Sequence, residues 1–428
     1  MIYMGLQSLL QILPFVLLSL SAGCSYGRSL EDRFSGVGSS ADELQERDVL
    51  WSSREVVNVR DFGAKGDGSS DDTQAFISAW KAACSSSPAV TLLVPNNKVY
   101  LLKPVTLSGP CKSHIIVKIK GTIIASPKLE DWDGTNRRQW VMFSGIKNLR
   151  VDGGGTFNGS GQRWWKNSCK VDKSLPCRVA PTALTFYSCT SLEVHNLKFR
   201  DSQQIHVSFE GCTNVKVSNL GITAPESSPN TDGIHITGTT DIRIKHCVIS
   251  TGDDCISIVG GSRLVTATSI VCGPGHGISI GSLGADGSEE HVSDVLVDTA
   301  ELGGTSNGVR IKTWQGGRGY ARNITFKNIV MNKVENPIII DQNYCDSSQS
   351  CSEMKSAVAV SGVTYKNITG TSATEVAVDF DCSKSFPCKG IVLQDIKLAL
   401  AGGGPSKSTC ENTDLSKSGT VVPLPCTS

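Results

Sequence analysis

From about residue 146 to 397, apolar and polar residues alternate with a period of two, in short runs closed by Gly, Asn, Asp or Ser. One phrase recurs: Cys-Thr-Ser-Leu-Glu-Val-His-Asn-Leu from Cys189 returns 23 residues later as Cys-Thr-Asn-Val-Lys-Val-Ser-Asn-Leu from Cys212. Related pieces start near Thr239, Arg263, Arg322 and Gly362. A second phrase is a short apolar strand: Ile205–Val207, Ile234–Ile236, Ile256–Ile258, Ile278–Ile280, Val309–Ile311, Ile338–Ile340 and Val376–Val378. Strands repeating this way, with no helical spacing between them, predict an all-β chain wound as a right-handed parallel β-helix. A barrel of alternating strands and helices is disfavoured, because it needs a helix after each strand. Asn196, Asn219, Asn328 and Asn367 fall at one repeat position and predict a stacked ladder of turn residues. Helical spacing is convincing only near the start. Ala75, Phe76, Ala79, Trp80 and Ala83 form one apolar face behind the capping run Asp71-Asp72-Thr73, and this short helix is expected to cover the N-terminal end of the coil.

Charge and cysteine content narrow the setting. Lys plus Arg number 41 and Asp plus Glu 40, a balance that argues against a general nucleic-acid or anionic-membrane binder. Leu6 to Leu20 is apolar and is followed by small residues, which reads as a signal peptide over 1–24; the run is short for a bilayer span. Residues 25–53 are polar and of mixed charge, a propeptide or disordered arm, and 54–428 read as a single β-helix domain. Sixteen Cys fit an oxidising, secreted destination. Close pairs invite short bridges: Cys169/Cys177, Cys345/Cys351, Cys382/Cys388 and Cys255/Cys272, with Cys84/Cys111 and Cys410/Cys426 as further candidates. Loss of Cys24 with the signal would leave at least one cysteine unpaired. Glycosylation sequons stand at Asn158, Asn323 and Asn367, each of which reads equally well as a turn asparagine.

The candidate chemistry comes from aligning the short strands. Asp232, Asp254 and His276 each lie two residues before an Ile, at intervals of 22 residues. In a parallel coil, equivalent positions stack roughly 4.8 Å apart. These three residues should therefore form a column. His206 and His235 are aligned with Ser257, Ser279 and then Arg310, and Lys312 follows on the same face. Asp253 adjoins Asp254 in a turn led by Gly252. Two or three carboxylates, a His, an Arg and a Lys thus converge on one face expected to be exposed. A triple-Asp cluster could hold Ca²⁺, but the neighbouring Arg, Lys and His make that less attractive. Paired carboxylates are the machinery of glycoside hydrolysis. Arg with Lys suits the carboxylate of an acidic sugar polymer.

The chain carries Asn230-Thr231-Asp232-Gly233, Gly252-Asp253-Asp254, Gly275-His276-Gly277 and Arg310-Ile311-Lys312 in that order. With these motifs, roughly residues 54–426 resemble the plant polygalacturonases of glycoside hydrolase family 28. The resemblance implies a parallel β-helix and inverting hydrolysis of α-1,4-galacturonosidic bonds in pectin, with no metal or other cofactor. It implies Asp253 as general acid, Asp232 and Asp254 as activators of water, and His276 as support for the acid. Asn230, Arg310, Lys312 and Tyr344 are implied to hold galacturonate. The expected protein is a secreted monomer of the cell wall or apoplast, without nucleic-acid partners or membrane attachment after signal removal. Endo action is favoured, with exo action as the alternative. A rhamnogalacturonan hydrolase, a calcium-dependent pectate lyase and a non-catalytic wall-binding β-helix are the remaining readings.

Overall fold

The computed structural model describes residues 55–426, except 133–137, 347–350, 352, 353 and 425. The proposed signal peptide and arm lie outside the described residues.

Every strand-to-strand pairing between the long elements is parallel, and the strands fall into two stacked sets of 17 and 11. The 11-strand set is made of short strands, among them Val207–Glu210, Ile234–Thr237, Ile256–Ile258, Ile278–Leu283, Asn307–Trp314 and Asn336–Tyr344. Each pairs with the next along the chain, as a β-helix requires. The larger set contains long strands such as Thr190–Arg200, Thr213–Thr223 and Thr240–Ser250. Parallel crossovers of this kind take the right-handed sense.

Those long strands turn a corner, and the sequence shows how. In Thr190–Arg200 the buried residues are Leu192 and Val194, then Leu197 and Phe199. The inward alternation slips by one residue between Val194 and Leu197. At the slip stands Asn196 with φ +50°, a left-handed conformation that Asn tolerates better than most residues. Asn219, His246, Ser269, Thr299, Asn328, Asn367 and Asp395 hold the equivalent place on successive coils, all with positive φ. The expected ladder is therefore real and longer than the asparagines alone suggest. Asn367 Nδ2 donates to Asn328 Oδ1 and Asn328 Nδ2 to Asp298 Oδ1, each at 2.8 Å. A second left-handed column runs through Asn148, Ser191, Asn214, Asp241, Leu264, Asp294 and Asn323.

Inside the coil, like residues stack on like. Phe143, Phe186 and Phe209 lie nearly parallel with ring centroids 5.5 and 5.4 Å apart. This stack corrects the alignment of one strand. Ile205-His206-Val207 and Val207-Ser208-Phe209 both read apolar-polar-apolar, but it is Val207 that pairs with Ile234 and Ser208 with His235. His206 is consequently off the His235 column and fully buried. The same two-residue slip affects Val376–Val378, since Val378 and Phe380 are the partners of Ile338 and Ile340.

The helix Thr73–Ser85 buries the five residues expected of it. Phe76 and Trp80 meet Tyr100 and Phe143 edge-on at 5.5 Å, which fixes the helix on the first coils. Its cap differs from the expectation. Asp72 makes no side-chain capping bond; its carboxylate accepts from the Lys65 and Gly66 amides, and Asp71 accepts from Thr73 N. A second, short helix spans Gln162–Lys166. All six suggested cysteine pairs are bridged, and Cys189, Cys212 and Cys247 are buried free thiols.

Candidate active site

Four consecutive short strands build the site. Ile234, Ile256, Ile278 and Val309 are in register, and so are His235, Ser257, Ser279 and Arg310. Asp232, Asp254 and His276 enter these rungs two residues earlier and stack as expected. The glycines beside them permit close approach. A Cβ on Gly252 would lie 2.0 Å from the Ser228 carbonyl oxygen, and one on Gly277, at φ +87°, 2.1 Å from that of Asn307. Thr231, fully buried, accepts from Gly252 N at 3.0 Å and donates to the Ser228 carbonyl, which ties the Asn230–Gly233 turn to the next one.

Each column carboxylate is held by the serine of the following rung. Ser257 Oγ donates to Asp232 Oδ2 and Ser279 Oγ to Asp254 Oδ1, both at 2.6 Å. Both serines were used in the sequence only to set the register. Their place on the next rung, one residue into the strand, is the signal in the sequence for this role. His235 Nδ1 sits 2.7 Å from Ser257 Oγ and 3.8 Å from Asp232.

Asp253 and Asp254 diverge from their shared turn. Asp254 Oδ1 receives Arg310 Nη2 at 2.9 Å and its Oδ2 receives Lys312 Nζ at 3.1 Å. Arg310 and Lys312 therefore do not stand free on an exposed face. Lys312 is only 8 % exposed, and both are ion-paired. A cation two residues beyond another on one strand points to the same side, and here both reach back to the same carboxylate. Asp253 Oδ1 lies 3.0 Å from His276 Nδ1 and also accepts from Asp254 N at 2.8 Å, while Asn230 Nδ2 donates to Oδ2 at 3.3 Å. Tyr344, half-buried, presents its ring 5.4 Å from Lys312 Nζ and meets Trp314 edge-on.

These environments separate the carboxyls. Burial, with the charges of Asp253 and Asp254, pushes Asp232 up despite the His235 hydrogen bond. Burial also pushes Asp253 upward, but the hydrogen bond and charge of His276, with the charge of Lys312, outweigh it and hold Asp253 below the usual range. The Asp253 hydrogen bond in turn raises His276. Asp232 is thus the member of the cluster that burial and like charges lift, while Asp253 and His276 form a hydrogen-bonded pair in which the carboxyl is lowered and the ring raised. Burial pushes the Tyr344 hydroxyl up to about 12. Donor atoms of Asp253, Asp254 and His276 lie within 4.8 Å of one another, a grouping that could in principle take a cation. Arg310 and Lys312 already supply the counter-charge on Asp254, so a divalent ion would compete with two fixed cations.

Two loops flank the site. The segment after the short helix is closed by Cys169–Cys177, and the one after Tyr344 by Cys345–Cys351. Lys170 Nζ and Asp346 Oδ2 join them at 2.7 Å, with both side chains about half exposed. A pair so exposed is worth under about 1 kcal/mol.

Residues 84–420 match the model of glycosyl hydrolases family 28. The chain is 61 % identical over 356 residues to a polygalacturonase of Persea americana, which covers 83 % of this chain and 76 % of that one. It is 57 % identical over 373 residues to polygalacturonase-2 of Solanum lycopersicum, covering 87 % of this chain and 81 % of that one. In fold it is similar to an exopolygalacturonase from Thermotoga maritima, with a TM-score of 0.73 at 23 % identity over 88 % of this chain and 95 % of that one. With a family match over most of its length and relatives this similar, the chain belongs to the glycosyl hydrolases of family 28.

Proposed function

We propose that the protein is a secreted endo-polygalacturonase that hydrolyses α-1,4-galacturonosidic bonds in pectic polygalacturonate, with inversion at the anomeric carbon. The observation that carries this reading is the division of labour among three neighbouring aspartates. Asp253 shares a proton with His276, Asp254 is clamped by Arg310 and Lys312, and Asp232 is raised toward the pH at which a carboxylate is an effective base. In this reading Asp253 protonates the leaving oxygen, drawing on the proton it shares with His276. Asp232 accepts a proton from the attacking water, and the fixed charge of Asp254 orients that water. Arg310 and Lys312 have donors to spare beyond Asp254, and these grip a substrate carboxylate together with Asn230 and Tyr344.

Inversion is supported by Asp254 itself. Both its oxygens are occupied by Ser279, Arg310 and Lys312, which makes it a poor nucleophile for a covalent intermediate. Endo action requires a groove open at both ends, and the short-strand sheet that floors it does continue on both sides of the catalytic rungs, as that requires. Residues 54–428 act as one catalytic domain, a monomer delivered to the cell wall by segment 1–24, with 25–53 as a propeptide or arm. Six disulfides fit that oxidising route, and among the described residues no helix is long and apolar enough to cross a membrane.

The test is product sizing on polygalacturonate, with viscosity followed against reducing ends. A steep viscosity drop at low conversion with a ladder of oligomers is expected. Release of monomer or dimer alone would replace the endo reading with exo. Unsaturated products that require Ca²⁺ would overturn hydrolysis. Anomeric proton spectra of fresh products test inversion directly.

A further inference from the structure

Among the described residues His206 is the one fully buried histidine, and the proposed reaction gives it no part. Burying an imidazole is costly unless its polar atoms are used. One of them is. Ring Nδ1 lies 3.0 Å from the Asp232 carbonyl oxygen, and the His206 backbone N–H reaches the same oxygen at 2.9 Å. A carbonyl only accepts, so Nδ1 carries the proton and donates it to the bond. Nε2 is buried and without a partner. Burial lowers the ring to about 4 against the pull of the Asp232, Thr223 and Thr231 carbonyls, so above that pH it is neutral and held in one tautomer.

The next rung shows what is unusual here. Gly233 takes the place that His206 holds one coil earlier, and its N–H reaches the Asp254 carbonyl at 2.9 Å with no side chain to add a second donor. Asp254 is fixed from its carboxylate end, by Arg310 and Lys312. Asp232 has no Lys or Arg partner among the described residues; Ser257 Oγ holds its carboxylate at 2.6 Å, with His235 Nδ1 at 3.8 Å. Asp232 is also followed by Gly233, which leaves the peptide between them freer to turn than another residue would. Two donors converging on the Asp232 carbonyl fix the plane of that peptide, and with it the direction in which the Asp232 side chain leaves the turn. Thr231 ties the preceding residue to Gly252 N and the Ser228 carbonyl, so the turn is held on both sides of its carboxylate.

We infer that His206 is a positioning residue for the general base: from beneath the groove floor its Nδ1–H fixes the Asp232 carbonyl and so keeps the Asp232 carboxylate aimed at the attacking water. The inference rests on Asp232 as the base in the polygalacturonase reading. His206 touches no substrate and exchanges no proton in the reaction. The role belongs to one ring nitrogen, so a side chain that donates from the Nδ1 position replaces the histidine, and one that donates from the Nε2 position does not.

The test compares three full-chain variants on polygalacturonate. His206→Asn puts an amide N–H where Nδ1–H stands, His206→Gln puts it near Nε2, and His206→Leu has no donor. His206→Asn should keep kcat within about threefold of wild type, while His206→Gln and His206→Leu should lose at least about tenfold, with KM changed by less than about twofold in all three. The acid limb of the kcat profile should move to lower pH in His206→Gln, because a loosened Asp232 takes up water and gives back part of the rise that burial causes. Equal kcat in His206→Asn and His206→Gln, a loss carried by KM, or an unmoved acid limb would overturn the role. Should His206→Leu not fold, the comparison of Asn with Gln decides alone. A wild type that does not hydrolyse polygalacturonate removes the polygalacturonase reading instead. Nitrogen-15 spectra of the histidine rings at about pH 6 then judge the contact without activity. The resonance absent from His206→Asn should show a protonated Nδ1 and a bare Nε2, which keeps the hold on Asp232; the opposite tautomer removes it.

Discussion

Replacing Lys312 by Met removes one charge from the clamp on Asp254 and keeps most of the side chain's volume. The Nζ–Oδ2 distance is 3.1 Å, and the two side chains are 9 % and 3 % exposed. At an effective dielectric of about 20, two unit charges at that distance attract by roughly 5 kcal/mol before desolvation is subtracted. Truncating one member of a buried pair costs about 3–5 kcal/mol, because the other is left uncompensated. Here Arg310 remains 2.9 Å from the other oxygen, so the loss should sit at or below the low end, about 2–3 kcal/mol. Urea unfolding followed by tryptophan fluorescence reads this loss. Asp254→Asn and the double variant complete a cycle whose coupling term should be about 1.5–3 kcal/mol. A Lys312→Met protein within 0.5 kcal/mol of wild type, or strictly additive changes, would refute the clamp and return Lys312 to a role toward substrate alone.

Asp253→Asn should lower kcat by at least about a hundredfold with oligomer affinity retained, since an amide cannot donate the proton; a variant keeping a tenth of wild-type kcat would remove the assignment. The pH–rate profile should be bell-shaped on the acid side, and His276→Gln should move its alkaline limb to lower pH, because the mobile proton loses its imidazole carrier; an unmoved limb would place that proton elsewhere. Stability should follow the same pair. The raised His276 contributes fully below its unfolded value near 6.5 and loses that contribution as pH rises through the folded value, while the lowered Asp253 contributes above 3.8 and loses it as pH falls through the folded one. Urea midpoints across pH should therefore peak between these limits in wild type and flatten in His276→Gln. Leu264→Asn should raise stability by about 1 kcal/mol, because Leu264 stands at φ +55° in a column otherwise filled by Asn, Asp, Ser and Gly, and left-handed geometry costs most L-residues about 1–2 kcal/mol; an unchanged urea midpoint would show that the column is not strained there.

The repeat was legible because a coil enforces it: each rung must present apolar residues inward at matching positions, so Ile234, Ile256 and Ile278 declare their own register. The motif residues could be placed for the same reason. Two kinds of feature escaped. Where a segment alternates for longer than its strand, as at Ile205–Phe209, periodicity fits two registers, and only the stacking of Phe209 on Phe186 chooses between them. Pairing between charged groups was also hidden, because alternation assigns Arg310 and Lys312 a face without saying whether a carboxylate waits there. The turn before the rung sends Asp254 toward them and Asp253 toward His276, a divergence that no spacing rule reports.

The slip of alternation at each corner bears on how such a chain can diversify. A residue inserted within a long strand would turn the following leg inside out, burying its polar side chains, whereas one inserted in the segments that lead into or out of the short strands leaves every coil in phase. Those segments are where 167–181 and the stretch after Tyr344 lie, each tied off by its own disulfide. Length changes are therefore confined by geometry to the walls of the groove. Descendants of one scaffold can acquire new walls, and with them new preferences for chain length or decoration of the polymer, while the arrangement of Asp232, Asp253 and Asp254 on the floor is inherited unaltered.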